Sequence, residues 1–172
     1  MNAKNVIFVS NRGGIKVNIN QILINMKQIL VFTLLVFFGS KVMAQDAKAI
    51  VGLWWNDKKT SKIEIKEENG TFTGTVVYIN PDKYVNGEPE KDNNNPDPNL
   101  RSKSRLGLQI LKGLKYVPGD KQWQNGRIYD PDNGKTYDCY AWFDKDPKVL
   151  YLKGYVVGIK WLGRSTTWTK AD

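Results

Sequence analysis

The apolar residues between positions 61 and 170 recur mainly at every second position, in short segments that turn residues separate. Ile63 and Ile65 alternate with lysine and glutamate, and Asn69-Gly70 then supplies the dipeptide that favours a tight hairpin turn. Residues 71–78 continue the alternation with threonines on one face, and β-branched side chains suit a pleated strand. A period of two is that of a β-strand, so this pattern predicts an all-β fold.

Four later segments repeat the alternation, at residues 122–129, 136–143, 149–156 and 163–170. Turn-forming residues separate them, which is the arrangement of an antiparallel meander. Short antiparallel strands need closure to remove their exposed edges. We therefore predict one small antiparallel up-and-down barrel, and the alternative is an open sandwich.

Two regions depart from this pattern. Residues 80–104 contain four prolines and three consecutive asparagines, which cannot lie inside a sheet, so they are predicted to form one long loop. Residues 105–116 carry five leucine and isoleucine residues whose spacing fits neither a strand nor a helix. A short helix and a strand over the mouth of the barrel both remain open for this segment.

Residues 26–44 have the form of a secretory signal peptide. A lysine follows Met26, residues 29–38 form a mostly apolar run, and Ala44 closes a small-residue cleavage site before Gln45. The run is too short to be a stable membrane anchor. We expect a periplasmic or secreted protein that has no integral membrane segment after cleavage.

Residues 1–25 precede a signal that has its own initiator methionine, so we interpret them as a mis-assigned upstream start. The alternatives are an extended positive region containing Lys4, Arg12 and Lys16, or a signal anchor that is retained in the membrane. Cleavage after residue 44 would leave residues 45–172. A chain of that length is predicted to form a single β-barrel domain.

The charged, histidine and cysteine content excludes several kinds of function. All 17 acidic residues but only 21 of the 26 basic ones fall in residues 45–172, and the net charge of +4 is not clustered, which argues against nucleic acid as a partner. The chain has no histidine, the usual zinc ligand and general base, and its single cysteine, Cys139, has no partner for an intramolecular disulfide. We predict no catalytic residue, no metal site and no cofactor. A carboxylate pair such as Asp130 and Asp132 keeps a histidine-free hydrolase as an alternative.

Three residues are predicted to form a structural plug at one end of the barrel. Trp54 stands in a Gly-x-Trp sequence at the head of the first strand, and Arg164 and Trp168 lie on one face of the last strand. A guanidinium group over an indole face is favourable by about 0.5–2 kcal/mol. We therefore expect Trp54 to be buried near Arg164, and ligand contact by these residues is the alternative.

The long loop and the turn after position 129 carry polar side chains that are predicted to form a binding mouth. Arginine in the loop offers bidentate hydrogen bonds to a carboxylate or phosphate. The predicted ligand-binding residues are Asn95, Asp97, Arg101 and Arg105 of the loop, with Tyr129, Asp130, Asp132 and Tyr137 of the turn and its strands. The alternative for Arg101 is that it holds the loop by hydrogen bonds to backbone carbonyl groups.

Four stretches resemble a family of exported bacterial proteins that is catalogued as domain of unknown function 2147. They are Gly-Leu-Trp at 52–54, Asn-Pro-Asp-Pro-Asn-Leu-Arg at 95–101 followed by Gly107, Gly-Arg-Ile-Tyr-Asp-Pro-Asp-Asn-Gly-Lys-Thr-Tyr at 126–137, and Gly-Tyr at 154–155 with Gly-Arg-Ser at 163–165 and Trp168. The resemblance implies a lipocalin-like barrel of unestablished activity, without a known cofactor.

The expected function is therefore binding without catalysis. The ligand would be a small amphiphilic or acidic molecule at the barrel mouth, since a long loop on a rigid barrel is where binding groups are usually placed. The alternative is a structural or protein-interaction module of the cell envelope, whose partner would be another envelope protein.

Overall fold

The computed structural model describes residues 47–156 and 158–171, together with positions 22, 23, 25, 26 and 28. Apart from those five positions, the predicted upstream segment, signal peptide and cleavage site lie outside the described residues. The chain divides into two compact units, residues 1–43 and 44–172. Within the described part of the chain, no helix has both the length and the apolar character that crossing a membrane requires.

The second unit is an antiparallel β-barrel, as the sequence predicts. Its described strands are β1 (Gly52–Trp55), β2 (Ser61–Glu68), β3 (Thr71–Ile79), β4 (Tyr84–Val85), β5 (Glu88–Pro89), β6 (Gln109–Val117), β7 (Gln122–Asp130), β8 (Lys135–Phe143), β9 (Val149–Tyr155) and β10 (Gly163–Lys170). Eight of them close the barrel in the order β1-β10-β9-β8-β7-β6-β3-β2, and β4 pairs with β5 in a separate small sheet. Short 3-10 helices occupy Lys48–Ile50, Pro81–Lys83 and Pro98–Leu100.

The hairpin between β2 and β3 has the geometry that its sequence predicts. Asn69 and Gly70 have φ values of 51° and 75°, and Glu68 pairs with Thr71 directly across the turn. Two consecutive residues with positive φ give a turn whose twist matches that of the flanking strands.

The ambiguous segment at residues 105–116 contributes strand β6 and no helix. Its spacing is irregular because the register between β3 and β6 shifts on both sides of Gly74. A bulge changes the face to which the following side chains point, and Ile110 and Leu111 are consequently both buried although they are adjacent. The period of two is broken by this bulge.

One end of the barrel is filled by aromatic side chains and closed by the segment before β1. The indole Nε1 of Trp54 donates to the carbonyl oxygen of Ile50 at 2.8 Å, and that of Trp123 donates to the carbonyl oxygen of Ala47 at 2.9 Å. The Phe143 ring contacts both indoles, at centroid distances of 5.8 and 5.4 Å. Buried indoles with satisfied N–H groups make this the tightly packed end.

The predicted plug is wrong in one respect, because Arg164 does not cover Trp54. Trp54 is fully buried, but β1 and β10 pair through Trp54 and Lys170, and Arg164 lies near the opposite end of β10, where it pairs with Gly154. The cation over the indole is Lys170, whose Nζ lies 4.6 Å from the ring centroid. The sequence spacing does not reveal the register between the first and last strands, and that register decides which cation meets the ring.

The other end of the barrel is the mouth. Because consecutive strands are antiparallel, the β1–β2, β7–β8 and β9–β10 connections and the long loop between β3 and β6 all lie at this end. Strand β1 pairs with only Lys170 and Thr169 of β10. Residues 163–168 therefore continue towards the mouth beyond the end of β1.

Candidate functional site

A cavity of about 630 Å³ opens at the mouth of the barrel. Its apolar lining comes from inward positions of five strands: Ile63, Val76, Ile79, Ile110, Ile128 and Trp168. Its polar rim comes from the β1–β2 turn, the long loop, the β7–β8 turn and the start of β10. Small-molecule sites are typically of about 300–1,000 Å³ and combine an apolar lining with a few polar groups.

Arg105 joins the long loop to the β7–β8 turn. Its Nη1 donates to Asp132 Oδ1 at 2.7 Å and to Glu90 Oε2 at 3.1 Å, its Nη2 donates to the Pro131 carbonyl oxygen at 3.0 Å, and its Nε donates to the Lys91 carbonyl oxygen at 3.2 Å. These contacts use four of the five N–H groups that a guanidinium carries. The side chain is therefore mainly occupied in holding the rim together.

The carboxylate of Asp132 lies between two cations. Burial disfavours its charged form, but the hydrogen bond and charge of Arg105, together with Lys58 at 3.5 Å, hold the pKa of Asp132 below its ordinary value. A lowered pKa is the opposite of what a general acid needs near neutral pH. This side chain consequently gives no support to a hydrolase that uses Asp130 and Asp132 as a carboxylate pair.

A buried carboxylate that the sequence analysis did not single out fastens the long loop to β7. Asp92 is 1 % exposed, and both of its oxygens lie within hydrogen-bond distance of the Tyr129 hydroxyl, at 2.8 and 3.0 Å. Asn95 Nδ2 also donates to it, at 2.6 Å. Burial, the hydrogen bond to Asp92 and the charge of Asp92 raise the pKa of Tyr129 to about 12. The Asn-rich composition around Asp92 indicates a loop, and no local pattern indicates that its carboxylate is buried.

The β7–β8 turn is shaped to receive this loop. The Asp130 carbonyl oxygen accepts from the N–H groups of Asn133 and Gly134, at 3.3 and 2.8 Å, and Asn94 Nδ2 donates to the Asp132 carbonyl oxygen at 2.9 Å. Gly134 has φ of 70°, and a Cβ there would overlap the Asn94 backbone. Glycine is thus required both for the backbone angle and for the close approach of the loop.

The structure separates the predicted ligand-binding residues into two groups. Those that line the cavity are Arg105, Tyr129, Asp130, Asp132 and Tyr137, whereas Asn95, Asp97 and Arg101 are not part of its lining.

The second group is engaged inside the long loop. The buried Asn95 accepts the Asp97 N–H through its Oδ1, Asp97 accepts the Asn99 N–H, and Arg101 Nε donates to the Asn95 carbonyl oxygen at 2.8 Å. This is the loop-holding geometry that the sequence analysis gave as the alternative for Arg101. All three contacts join residues at most six positions apart, so these side chains hold the loop in its own shape.

Two cations of the rim have no side-chain partner among the described residues. They are Lys83, which follows β3 in the long loop, and Arg164, which is the second residue of β10, and both line the cavity. The other cations of the lining, Lys58 and Arg105, are paired with carboxylates. Arg164 lies in the part of β10 that extends beyond the end of β1, and its guanidinium group is therefore exposed at the rim.

No group of three or more carboxylate or thiol side chains is close enough to hold a metal ion in the described ranges. Cys139 is fully buried in β8. Burial, and then the charge of Asp138, raise the pKa of its thiol to about 12. A thiol that stays protonated and out of contact with solvent is a poor nucleophile.

Known proteins include one with a similar fold and a family whose sequence pattern this chain matches. The chain is similar to a protein of Helicobacter pylori that is described as belonging to the lipocalin family, with a TM-score of 0.60 and 24% sequence identity over 72% of this chain and 83% of that one. That similarity shows the lipocalin-like fold. No curated protein sequence matches the chain at a significant level. Residues 52–170 match the family described as an uncharacterized protein conserved in bacteria, DUF2147, and the chain therefore belongs to that family.

Proposed function

We propose that this protein binds an anionic amphiphile, with the apolar chain of the ligand in the cavity and its acidic head at the rim, and that it does not turn the ligand over. The cavity at the mouth of the barrel is the observation that carries the proposal. Its inner wall consists of isoleucine, valine and tryptophan side chains, and its rim is polar. Such a wall favours an apolar chain because transfer from water stabilises it by about 0.8 kcal/mol per buried methylene group.

The lining holds four cations and four carboxylates in all, and the cations that have no side-chain partner in the described ranges are placed to receive an acidic head group. Arg105 and Lys58 are paired with carboxylates, whereas Arg164 and Lys83 lie at the rim without a partner among the described residues. Arginine presents two parallel N–H groups that match a carboxylate or phosphate. Arg164 is therefore the residue assigned to the head group, and Lys83 supplements its charge.

Titration calorimetry of the purified protein with dodecanoate, dodecanol and dodecyltrimethylammonium tests the proposal. The three ligands have the same alkyl chain and differ in the charge of the head group. Dodecanoate is expected to bind most tightly and dodecyltrimethylammonium least tightly. Val76→Phe should abolish binding by filling the cavity, while Val77→Phe, on the outer face of the same strand, should leave it unchanged. Equal binding by the two variants would contradict a site inside the barrel.

A second pair of variants tests the assignment of Arg164. Arg164→Gln should weaken dodecanoate binding about tenfold, since a hydrogen bond to a charged group contributes about 1.5–3 kcal/mol, and should leave dodecanol binding unchanged. Arg127→Gln removes an exposed cation from β7 that does not line the cavity, and is the matched control. An equal loss for dodecanol and dodecanoate would show that Arg164 does not meet the acidic head.

We also propose that the domain is exported and begins at Gln45. The support is the signal-like sequence of residues 26–44. N-terminal analysis of the exported product of the full 172-residue chain is expected to find Gln45 or its cyclised form, and a chain expressed from Met26 should give the same product. A mature product that retains residues before Met26 would contradict the proposal and show that the upstream segment is part of the protein.

A further inference from the structure

The connection between β9 and β10 exposes a group of large apolar side chains. Trp161 is 80 % exposed, and Leu162, Val156 and Ile159 are exposed beside it. The backbone of this connection is held by hydrogen bonds from Ile159 N to the Val156 carbonyl oxygen at 2.9 Å and from Leu162 N to the Ile159 carbonyl oxygen at 3.0 Å. Single exposed apolar residues are ordinary, but a group of four in one turn marks an interaction surface. We call Val156, Ile159, Lys160, Trp161, Leu162 and Arg164 the β9–β10 tip.

The charged residues that precede and follow the tip along the chain are all basic. From position 147 to position 171 the charged side chains are five lysine and arginine residues, and aspartate and glutamate are absent: Lys148, Lys153, Lys160, Arg164 and Lys170. Lys160 is adjacent to Trp161, and Arg164 follows Leu162 by two positions. A second stretch without aspartate or glutamate runs from position 98 to position 119 and carries Arg101, Lys103, Arg105, Lys112 and Lys115. The apolar tip therefore lies in one of these two segments of the domain whose charged side chains are all basic.

We propose that the β9–β10 tip is a docking surface for an anionic lipid bilayer, with Trp161 at the level of the head groups and Lys160 and Arg164 against lipid phosphates. Tryptophan is favoured at membrane–water interfaces because its ring is apolar and its N–H group is polar. Apolar residues flanked by basic ones bind anionic surfaces through burial of the first and attraction of the second. Four exposed apolar side chains flanked by Lys160 and Arg164 fit an anionic lipid surface better than an acidic protein, which would not need four adjacent apolar side chains.

The β9–β10 tip lies next to the cavity at the mouth of the barrel. Val156 and Leu162 belong both to the tip and to the cavity lining, whereas Ile159 and Trp161 belong only to the tip. A bilayer in contact with the tip would lie at the entrance of the cavity. An amphiphile could then pass between bilayer and barrel without crossing water. This step rests on the proposed function, but docking itself does not.

Co-sedimentation with sucrose-loaded vesicles tests the docking. Purified protein is expected to bind vesicles of equal parts phosphatidylglycerol and phosphatidylcholine at low ionic strength, and to bind vesicles of phosphatidylcholine alone at least about fivefold more weakly, since each cation near an anionic surface contributes about 1 kcal/mol. Trp161→Ser should reduce binding about tenfold or more through the lost apolar burial. Val77→Ser, an exposed apolar residue on the outer wall of β3, is its control and should bind as the wild type does.

A charge pair of variants completes the test. Lys160→Glu should reduce binding to the anionic vesicles at least about fivefold, and Lys145→Glu, in the β8–β9 turn at the closed end, should leave it unchanged. Equal losses of vesicle binding in Lys160→Glu and Lys145→Glu would show that the vesicles respond only to the net charge of the protein. That result would overturn the assignment of the tip. Undiminished binding of Trp161→Ser, or a concentration-dependent dimer that Trp161→Ser abolishes, would also overturn it, the latter by showing that the tip contacts a second copy of the chain.

The two proposals fail separately. Trp161→Ser leaves the cavity lining intact and should keep the dodecanoate affinity of the wild type in vesicle-free buffer. Val76→Phe should lose dodecanoate binding and keep vesicle binding. Loss of vesicle binding in Val76→Phe would show that a filled cavity, and not the tip, decides membrane association, and the docking surface would then be wrongly assigned.

Discussion

Tyr129 in β7 donates its hydroxyl hydrogen to the buried carboxylate of Asp92, and this contact fastens the long loop to the barrel at oxygen–oxygen distances of 2.8 and 3.0 Å. Tyr129→Phe would leave a buried carboxylate with one donor fewer, and a buried group that loses its partner costs about 1–3 kcal/mol. Urea denaturation should show that loss in the free energy of unfolding. Tyr137→Phe is the matched control, because its hydroxyl accepts from an exposed Asn133. Equal losses of unfolding free energy in both variants would show that the hydrogen bond to the buried Asp92 stabilises the fold no more than an exposed one does.

Arg101 is expected to stabilise the loop without taking part in ligand binding. Its Nε donates to the Asn95 carbonyl oxygen, and it is not part of the cavity lining. Arg101→Ala should lower the free energy of unfolding by about 0.5–1.5 kcal/mol, the usual contribution of one hydrogen bond, and speed proteolysis within residues 93–104. Dodecanoate affinity, measured by calorimetry, should stay within about twofold of the wild type. A larger loss of dodecanoate affinity in the folded variant would show that Arg101 takes part in ligand binding.

Lys170, and not Arg164, is expected to stabilise the fold through its contact with the Trp54 ring. Trp54→Ala should cost about 3–5 kcal/mol, as deletion of a large buried aromatic side chain usually does. Lys170→Met should cost about 0.5–1 kcal/mol through loss of the cation–π contact at an exposed site. Arg164→Met should leave the free energy of unfolding unchanged, because Arg164 lies at the mouth. Thermal or urea unfolding of the three variants checks this order, and a larger loss from Arg164→Met than from Lys170→Met would contradict it.

The ion pair between Asp132 and Arg105 should make stability depend on pH in the acid range. The pKa of Asp132 is lower in the folded protein than in the unfolded chain, so its stabilisation is present above the unfolded value, near 3.9, and is lost as the pH falls through the folded value. The Asp132 side chain is 61 % exposed, which limits the effect to about 1 kcal/mol or less.

Urea denaturation of the wild type and of Asp132→Asn over a pH series measures this effect. The variant should be less stable near neutral pH and should converge with the wild type below about pH 3. High salt should reduce the difference in free energy of unfolding between the wild type and Asp132→Asn at neutral pH, because exposed charges are screened. A difference that persists unchanged at low pH would assign the loss to packing and not to the charge.

Cys139 is predicted to be unreactive in the folded protein. It is fully buried, and the pKa of its thiol is raised to about 12 by burial and then by the charge of Asp138. A disulfide reagent at about pH 8 should modify it only after denaturation, because the thiolate is the reactive form. Modification of the native protein at the rate of the denatured chain would contradict this burial.

Local sequence was sufficient for much of the fold. Alternation of side chains predicted β2, β3 and the strands from β7 to β10, and Asn69-Gly70 predicted their first hairpin, because a strand period and a turn dihedral are properties of neighbouring residues. The spacing of apolar residues in β6 does not by itself indicate a strand, because the register shifts beside Gly74 disturb the period and are set by pairing with β3. Likewise the sequence predicts Arg105 at the rim, but its hydrogen bonds to Glu90 and Asp132 join residues that are 15 and 27 positions apart.

The sequence by itself therefore determined that this chain is a β-barrel with one long loop, because hydrophobic period, turn residues and proline content act locally. Only the tertiary structure decided which half of the barrel is filled and which is hollow, and that Lys170 and not Arg164 covers Trp54. It also decided that Asp92 of the long loop is buried against Tyr129 of β7. These features depend on strand register and on the volumes of side chains that meet across the barrel, and both are set by contacts between residues that are distant in the chain.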